Sequence, residues 1–120
     1  MTTEKSNGSV RIDILAREDC PHRGMALVVV ERVVDETGIP AEIELVDVES
    51  DSDAESYRVL GSPTVLVDGR DVDPEPIPVA YSVDDRIYRT PRGPSGWPEP
   101  DWIRAALIRA VAQTTSNGAH

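Results

Sequence analysis

The stretch Val10-Arg11-Ile12-Asp13-Ile14-Leu15-Ala16-Arg17-Glu18-Asp19-Cys20-Pro21-His22-Arg23 decides how this chain is read. Its first seven residues alternate apolar and polar, the period of a strand. Arg17-Glu18-Asp19 makes a turn, and the apolar run from Met25 to Val34 that follows reads as a buried helix. Cys20 is the only cysteine among 120 residues, and it falls between strand and helix. At a helix start, unpaired N–H groups and the macrodipole favour an anion. The thiolate is the reactive form of cysteine, so this is the placement that gives a thiol chemical use.

The rest of the chain extends this strand–helix start. The helix is expected from Pro21 to Thr37, with proline in the first turn, Gly38 ending it and Pro40 preventing its resumption. Val28, Val29, Val30, Val33 and Val34 are β-branched, but length and caps favour a helix with Ala26, Val29, Val30, Val33 and Val34 as its buried stripe. Ala41 to Val48 alternates as a second strand. A short helix is expected over Ala54 to Leu60, capped by Asp51 or Ser52. Strand, helix, strand and helix in this order make a βαβ unit with parallel strands. Thr64 to Val67 is a third strand, Asp68-Gly69 a hairpin turn, and Arg70 to Val72 an antiparallel return.

Pro74, Pro76 and Pro78 imply an extended, stiff loop. Residues 81 to 98 read as an irregular flap with a short strand near Arg86 to Arg89. A last helix is expected over Pro100 to Ala112, docking Trp102, Ala106, Leu107, Ala110 and Val111, with Ile103 beside that stripe. The domain is placed at 9–112, between a disordered 1–8 and a flexible 113–120.

Cys20-Pro21-His22 after a first strand resembles the active-site turn of thioredoxin-like oxidoreductases, of which the bacterial disulfide-oxidant type carries Cys-Pro-His-Cys. Gly61-Ser62-Pro63-Thr64-Val65 is similar to the cis-proline loop of the same superfamily and its following strand. The tail, Tyr88-Arg89-Thr90 through Gly96 to Trp102-Ile103-Arg104-Ala105-Ala106-Leu107, resembles small bacterial thioredoxin-like proteins. The resemblance implies an α/β fold with a thioredoxin-like mixed sheet: a βαβ unit plus an antiparallel hairpin, flanked by helices. It implies a cis bond at Ser62–Pro63, with Pro21, Ser62, Pro63 and Thr64 positioning a substrate whose backbone pairs with Ser62. It also implies that Cys20 is a nucleophile whose thiolate is stabilised by His22. Arg23 stands where the second cysteine of the motif would be.

Coulombic attraction from Arg23, and from His22 when protonated, favours a thiolate; Glu18 and Asp19 oppose it. With a single cysteine there is no intramolecular disulfide. One thiolate attacks a disulfide and forms a mixed disulfide, which an external thiol must resolve. The functional expectation is therefore a monothiol thiol–disulfide oxidoreductase or redox sensor, with a low-molecular-weight thiol or protein disulfide as partner. The alternative is a degenerate module that binds a protein or small molecule without chemistry. In the small thioredoxin-like proteins that the chain resembles, a second cysteine can follow a Tyr-Ser pair in the flap; here Tyr81-Ser82 is followed by Val83, so that substitute resolver is missing.

Bulk numbers narrow the partners. A net charge of −10 argues against nucleic acid and against an anionic membrane surface. Thr2 to Ser9 is polar, so neither a signal peptide nor a membrane span is expected, and a cytoplasmic, reducing setting follows. No cofactor and no metal are expected, because Cys20 and His22 are two ligands where zinc wants three or four. The acidic groups at Asp51 and Asp53, Asp71 and Asp73, and Asp84 and Asp85 read as solvated loops. Trp97, Trp102, Tyr81 and Tyr88 read as a small secondary core under the flap, or as an aromatic contact surface for a partner.

Overall fold

The computed structural model describes residues 9–76 and 80–118, with side chains through 113. The expected N-terminal segment 1–8, Pro78 of the proline series and His120 lie outside the described residues.

Strand β1 (Val10–Ala16) is central and has the expected bounds. It pairs in parallel with β2 (Ala41–Asp47), Val10 opposite Ala41, and antiparallel with β4 (Thr64–Val67), Ile12 opposite Val67. β4 continues through Asp68-Gly69 into β5 (Arg70–Asp71), giving the sheet order β2-β1-β4-β5. Both turn residues have positive φ, 49° and 84°, the geometry that a tight hairpin takes to match strand twist. Helix α1 (Arg23–Thr37) is the parallel crossover. Gly38 ends it as expected, donating its N–H to the Val34 carbonyl. Its start differs from expectation: Pro21 and His22 belong to a turn, and helical geometry begins at Arg23, whose N–H bonds the Cys20 carbonyl.

One face of the sheet carries the main core. Val10, Ile12 and Ile14 of β1, with Val65 and Val67, meet Ala26, Val29, Val30 and Val33 of α1. They also meet Ile103, Ala106, Leu107 and Ala110 of the last helix, α3 (Pro100–Gly118). This helix continues to Gly118, six residues beyond the expected end at Ala112. Its stripe is also rotated: Ile103 is fully buried and Val111 is exposed.

The opposite face is apolar only at its Leu15 end. There Leu15 joins Val48, Val59 and Ala54, the last from α2 (Asp51–Tyr57). That helix begins earlier than the sequence suggested, because Ser50 caps it by accepting from the Asp53 N–H at 3.1 Å. Elsewhere on this face Arg11 bridges Asp13 and Glu44 across neighbouring strands. The flap holds three short strands among the described residues, and the one expected near Arg86 to Arg89 lies at Tyr88–Thr90. β3 (Leu60–Ser62) pairs in parallel with β6 (Ser82–Asp85), and β7 (Tyr88–Thr90) pairs antiparallel with β8 (Gly93–Ser95). No helix among the described residues is long and apolar enough to cross a membrane.

Candidate functional site

Cys20 lies in the turn that leaves the end of β1, and it is a free, buried thiol with 7% exposure. Its N–H bonds the Arg17 carbonyl at 3.1 Å. The Arg17 N–H in turn donates to Ser62 Oγ at 3.0 Å. One residue thus ties the cysteine turn to the loop between β3 and β4. In that loop the Ser62–Pro63 peptide is cis. A central parallel pair, an antiparallel hairpin after a cis-proline and helices on the sheet now stand together. The fold is thioredoxin-like.

The thioredoxin-like loop Gly61–Thr64 is buried throughout. It is gripped by Arg86, which the sequence did not single out, and by Tyr88, read there as part of a small aromatic core. The Arg86 N–H donates to the Ser62 carbonyl at 2.9 Å, and the buried Tyr88 hydroxyl donates to the Pro63 carbonyl at 2.7 Å. Arg86 Nη1 donates to Thr64 Oγ1 at 3.2 Å, while Thr64 Oγ1 donates to the Gly61 carbonyl at 2.6 Å. Gly61 has φ of 133°, and a Cβ there would stand 2.7 Å from Arg86 Cβ, so only glycine fits.

Burying Arg86 requires compensation. Its two terminal nitrogens grip Asp71 at 2.7 and 3.2 Å, Asp73 lies 3.7 Å away, and the guanidinium stacks 4.2 Å from the Tyr88 ring centroid. Burial alone would lower the Arg86 pKa; Tyr88, Asp71 and Asp73 outweigh it and leave the group above its ordinary value. Burial pushes the Tyr88 hydroxyl well above its ordinary value of 10, with Arg86 opposing.

The expected tuning residues make other contacts. Arg23 Nη2 pairs with Asp47 at the end of β2, at 3.2 Å, and its Nε is buried without a hydrogen-bond partner among the described residues. The His22 ring packs on Trp97 with centroids 5.8 Å apart. Gly96 lies so close to that ring that any Cβ would collide with it. Pro21 is exposed. Tyr88 and Trp102 form the second aromatic contact, at 6.4 Å, while Tyr81 is exposed and outside it. A cleft of about 510 Å³ opens elsewhere, lined by Leu60, Ile87, Arg89 and Trp102 among others; Cys20 does not line it.

The sequence reading missed Arg86; it places Tyr88 in a small secondary core, which its burial bears out, but does not give its hydrogen bond to the Pro63 carbonyl. No local signal marks Arg86: its partner Asp71 is 15 positions away, in an acidic pair with Asp73 that reads as solvated in the sequence. Asp84 fits that reading and is exposed, whereas the Asp71 and Asp73 side chains are 15% and 11% exposed.

No protein-family model matches the chain, and no curated protein does. Among solved structures it is similar to chloroplastic thioredoxin z, whose crystal structure is described as defining a novel type-specific target recognition. The identity is 16%, over 92% of this chain and 82% of that one, with a TM-score of 0.47.

Proposed function

We propose that this protein is a single-cysteine thioredoxin-like thiol protein that works through a mixed disulfide at Cys20. The observation that carries the reading is the Arg17 tie, which joins the Cys20 turn to the Ser62–Pro63 loop. In the proposed step the Cys20 sulfur attacks a small disulfide. A bond forms between Cys20 and one sulfur, the original S–S bond breaks, and the departing thiolate takes up a proton. A second external thiol then attacks the mixed disulfide, releasing Cys20 and forming a new disulfide. His22 and Arg23 follow Cys20 by two and three positions, and in this reading Arg23, and His22 when protonated, favour its thiolate. Pro21, Ser62, Pro63 and Thr64 frame it; the side chains of Ser62 and Thr64 act by holding the loop. A low-molecular-weight disulfide is favoured over an extended protein substrate, because the Ser62 carbonyl already accepts from Arg86.

The 7% exposure of Cys20 favours a second reading, in which the same scaffold binds a partner without thiol chemistry. Mass spectrometry after incubation with oxidised glutathione or cystamine separates the two. The redox reading expects one adduct in native buffer, reversed by reduced glutathione. Adduct formation only in denaturant would leave the binding reading standing alone.

A further inference from the structure

The short strand β6 is held as a bound peptide would be. The Ser82 N–H donates to the Val59 carbonyl at 2.8 Å, and Ser82 lies opposite Leu60 in parallel register. The Val83 side chain packs on the apolar cluster of Leu15, Val48, Ala54 and Val59. Arg17 closes over the strand: Nη1 donates to the Val83 carbonyl at 2.5 Å and Nη2 to Asp85 Oδ1 at 2.8 Å. The Asp85 hydrogen bond is the largest influence raising the Arg17 pKa, ahead of Asp19. Each contact falls on a different group of β6: a backbone donor, an apolar side chain, a backbone acceptor and a carboxylate.

Part of the receptor side is held without β6, and the Val59 N–H bonds the Ala54 carbonyl at 2.8 Å. The Arg17 backbone is pinned to Ser62 and Cys20, and its Nε holds Asp19 at 3.1 Å. β6 itself is weakly built. It has four residues, two of them exposed acids, and its register shifts between Leu60 and Ser62. Strands this short with few buried contacts open locally at low free energy. Beyond it Arg86 is buried and held by Asp71, so an opening that starts at Ser82 stops there.

We propose that Ser82–Asp85 is a self-bound ligand strand occupying a peptide-docking edge. The partner that displaces it is an extended acidic segment with an apolar residue two places before a carboxylate. The partner's apolar side chain takes the place of Val83, its carboxylate the place of Asp85 on Arg17, and its backbone the place of Ser82 on Val59. The site needs no chemistry at Cys20 and stands apart from the thiol reading. Because β6 is tethered, its effective concentration is on the order of millimolar, and a free peptide competes at comparable concentration or, more dilute, when the tethered strand is weakened.

The test is fluorescence anisotropy with a labelled, end-blocked peptide Tyr-Ser-Val-Asp-Asp. Wild type is compared with a Val83→Ala/Asp85→Asn double variant, whose receptor side is untouched. We expect the double variant to bind at least about tenfold more tightly, the size of one charge-assisted hydrogen bond. Adding Arg17→Ala, or replacing the last peptide aspartate by lysine, should remove that gain. No binding to a double variant whose Ser82 amide exchanges rapidly with solvent overturns the proposal. Dimerisation of the variant in place of peptide binding also overturns it, by assigning the edge to a second copy. If the double variant does not fold, wild type is titrated with millimolar peptide and followed by amide NMR. Shifts at Arg17, Val59 and Leu60 support the proposal, and their absence overturns it.

Discussion

The turn that bears Cys20 and the loop that bears Pro63 are joined through Arg17, yet they are held in opposite ways. Around the cysteine, the motif residues are lightly engaged. Arg23 makes one ion pair, at 3.2 Å, with a partner carboxylate 59% exposed, and His22 makes one ring contact. Around the proline, three successive residues each receive a hydrogen bond from Arg86 or Tyr88, and Asp71 and Asp73 neutralise the buried cation. His22 and Arg23, which look chemical in the sequence, therefore do little for the fold, while the residues that fix the loop come from outside the cysteine and proline motifs. Buried charge makes the difference, since an uncompensated ion inside costs far more than a lost surface pair.

The largest expected effect that tests this contrast is at Arg86. Arg86→Met leaves Asp71 and Asp73 without their cation and should destabilise by about 3–5 kcal/mol in urea unfolding. Adding Asp71→Leu should recover part of that loss, because an apolar pair replaces a stranded charge. A loss below about 1 kcal/mol for Arg86→Met, within the range of surface pairs, would erase the contrast.

Next is Tyr88→Phe, which strands the Pro63 carbonyl and should cost about 1–2 kcal/mol. It also carries a pH signature. Burial raises the Tyr88 pKa above 10 in the folded chain, so above about pH 10 the unfolded chain loses that proton first. Stability is thus fully present below pH 10 and falls as pH rises beyond it, by up to roughly 1.4 kcal/mol per pH unit. The Phe variant should lack this part of the alkaline decline, as urea midpoints between pH 9 and 11 would reveal. An identical decline in both proteins would place the effect elsewhere.

The smallest effect belongs to Arg23→Ala. Removing its exposed pair with Asp47 should change stability by no more than about 1 kcal/mol, and added salt should shrink the difference. If Arg23→Ala proved costlier than Tyr88→Phe, the ordering of the two regions would be reversed.

These magnitudes also explain what the sequence made legible. Local rules sufficed for β1, for the Gly38 stop and for the Asp68-Gly69 hairpin, since each depends on neighbours within a few residues. The fold followed from joining them, and the motif resemblance supplied the cis Ser62–Pro63 bond. Arg86 escaped because its partners lie 15 and 22 positions away, at Asp71 and Thr64, and because arginine is normally exposed. The flap was read as irregular because strands of three or four residues are too short to display a period. The start of α1 was misplaced by two residues because proline suits a first helical turn, whereas here Pro21 and His22 complete the cysteine turn. Helix α2 was displaced because Ser50, Asp51 and Ser52 are all competent caps, and the choice falls to the one whose hydroxyl reaches the Asp53 amide.

The position of β2 has a consequence for the protein in solution. It is seven residues long and has no strand on its outer side among the described residues, so it offers a ready template for edge-to-edge stacking. Glu42, Glu44 and Asp47 lie along it, and the whole chain carries a charge of −10 that keeps two such edges apart. Near the isoelectric point, about pH 4.5, that repulsion vanishes while the edge and the exposed Leu45 remain. Mild acid should therefore cloud a concentrated solution of folded protein, and a small rise in pH should clear it.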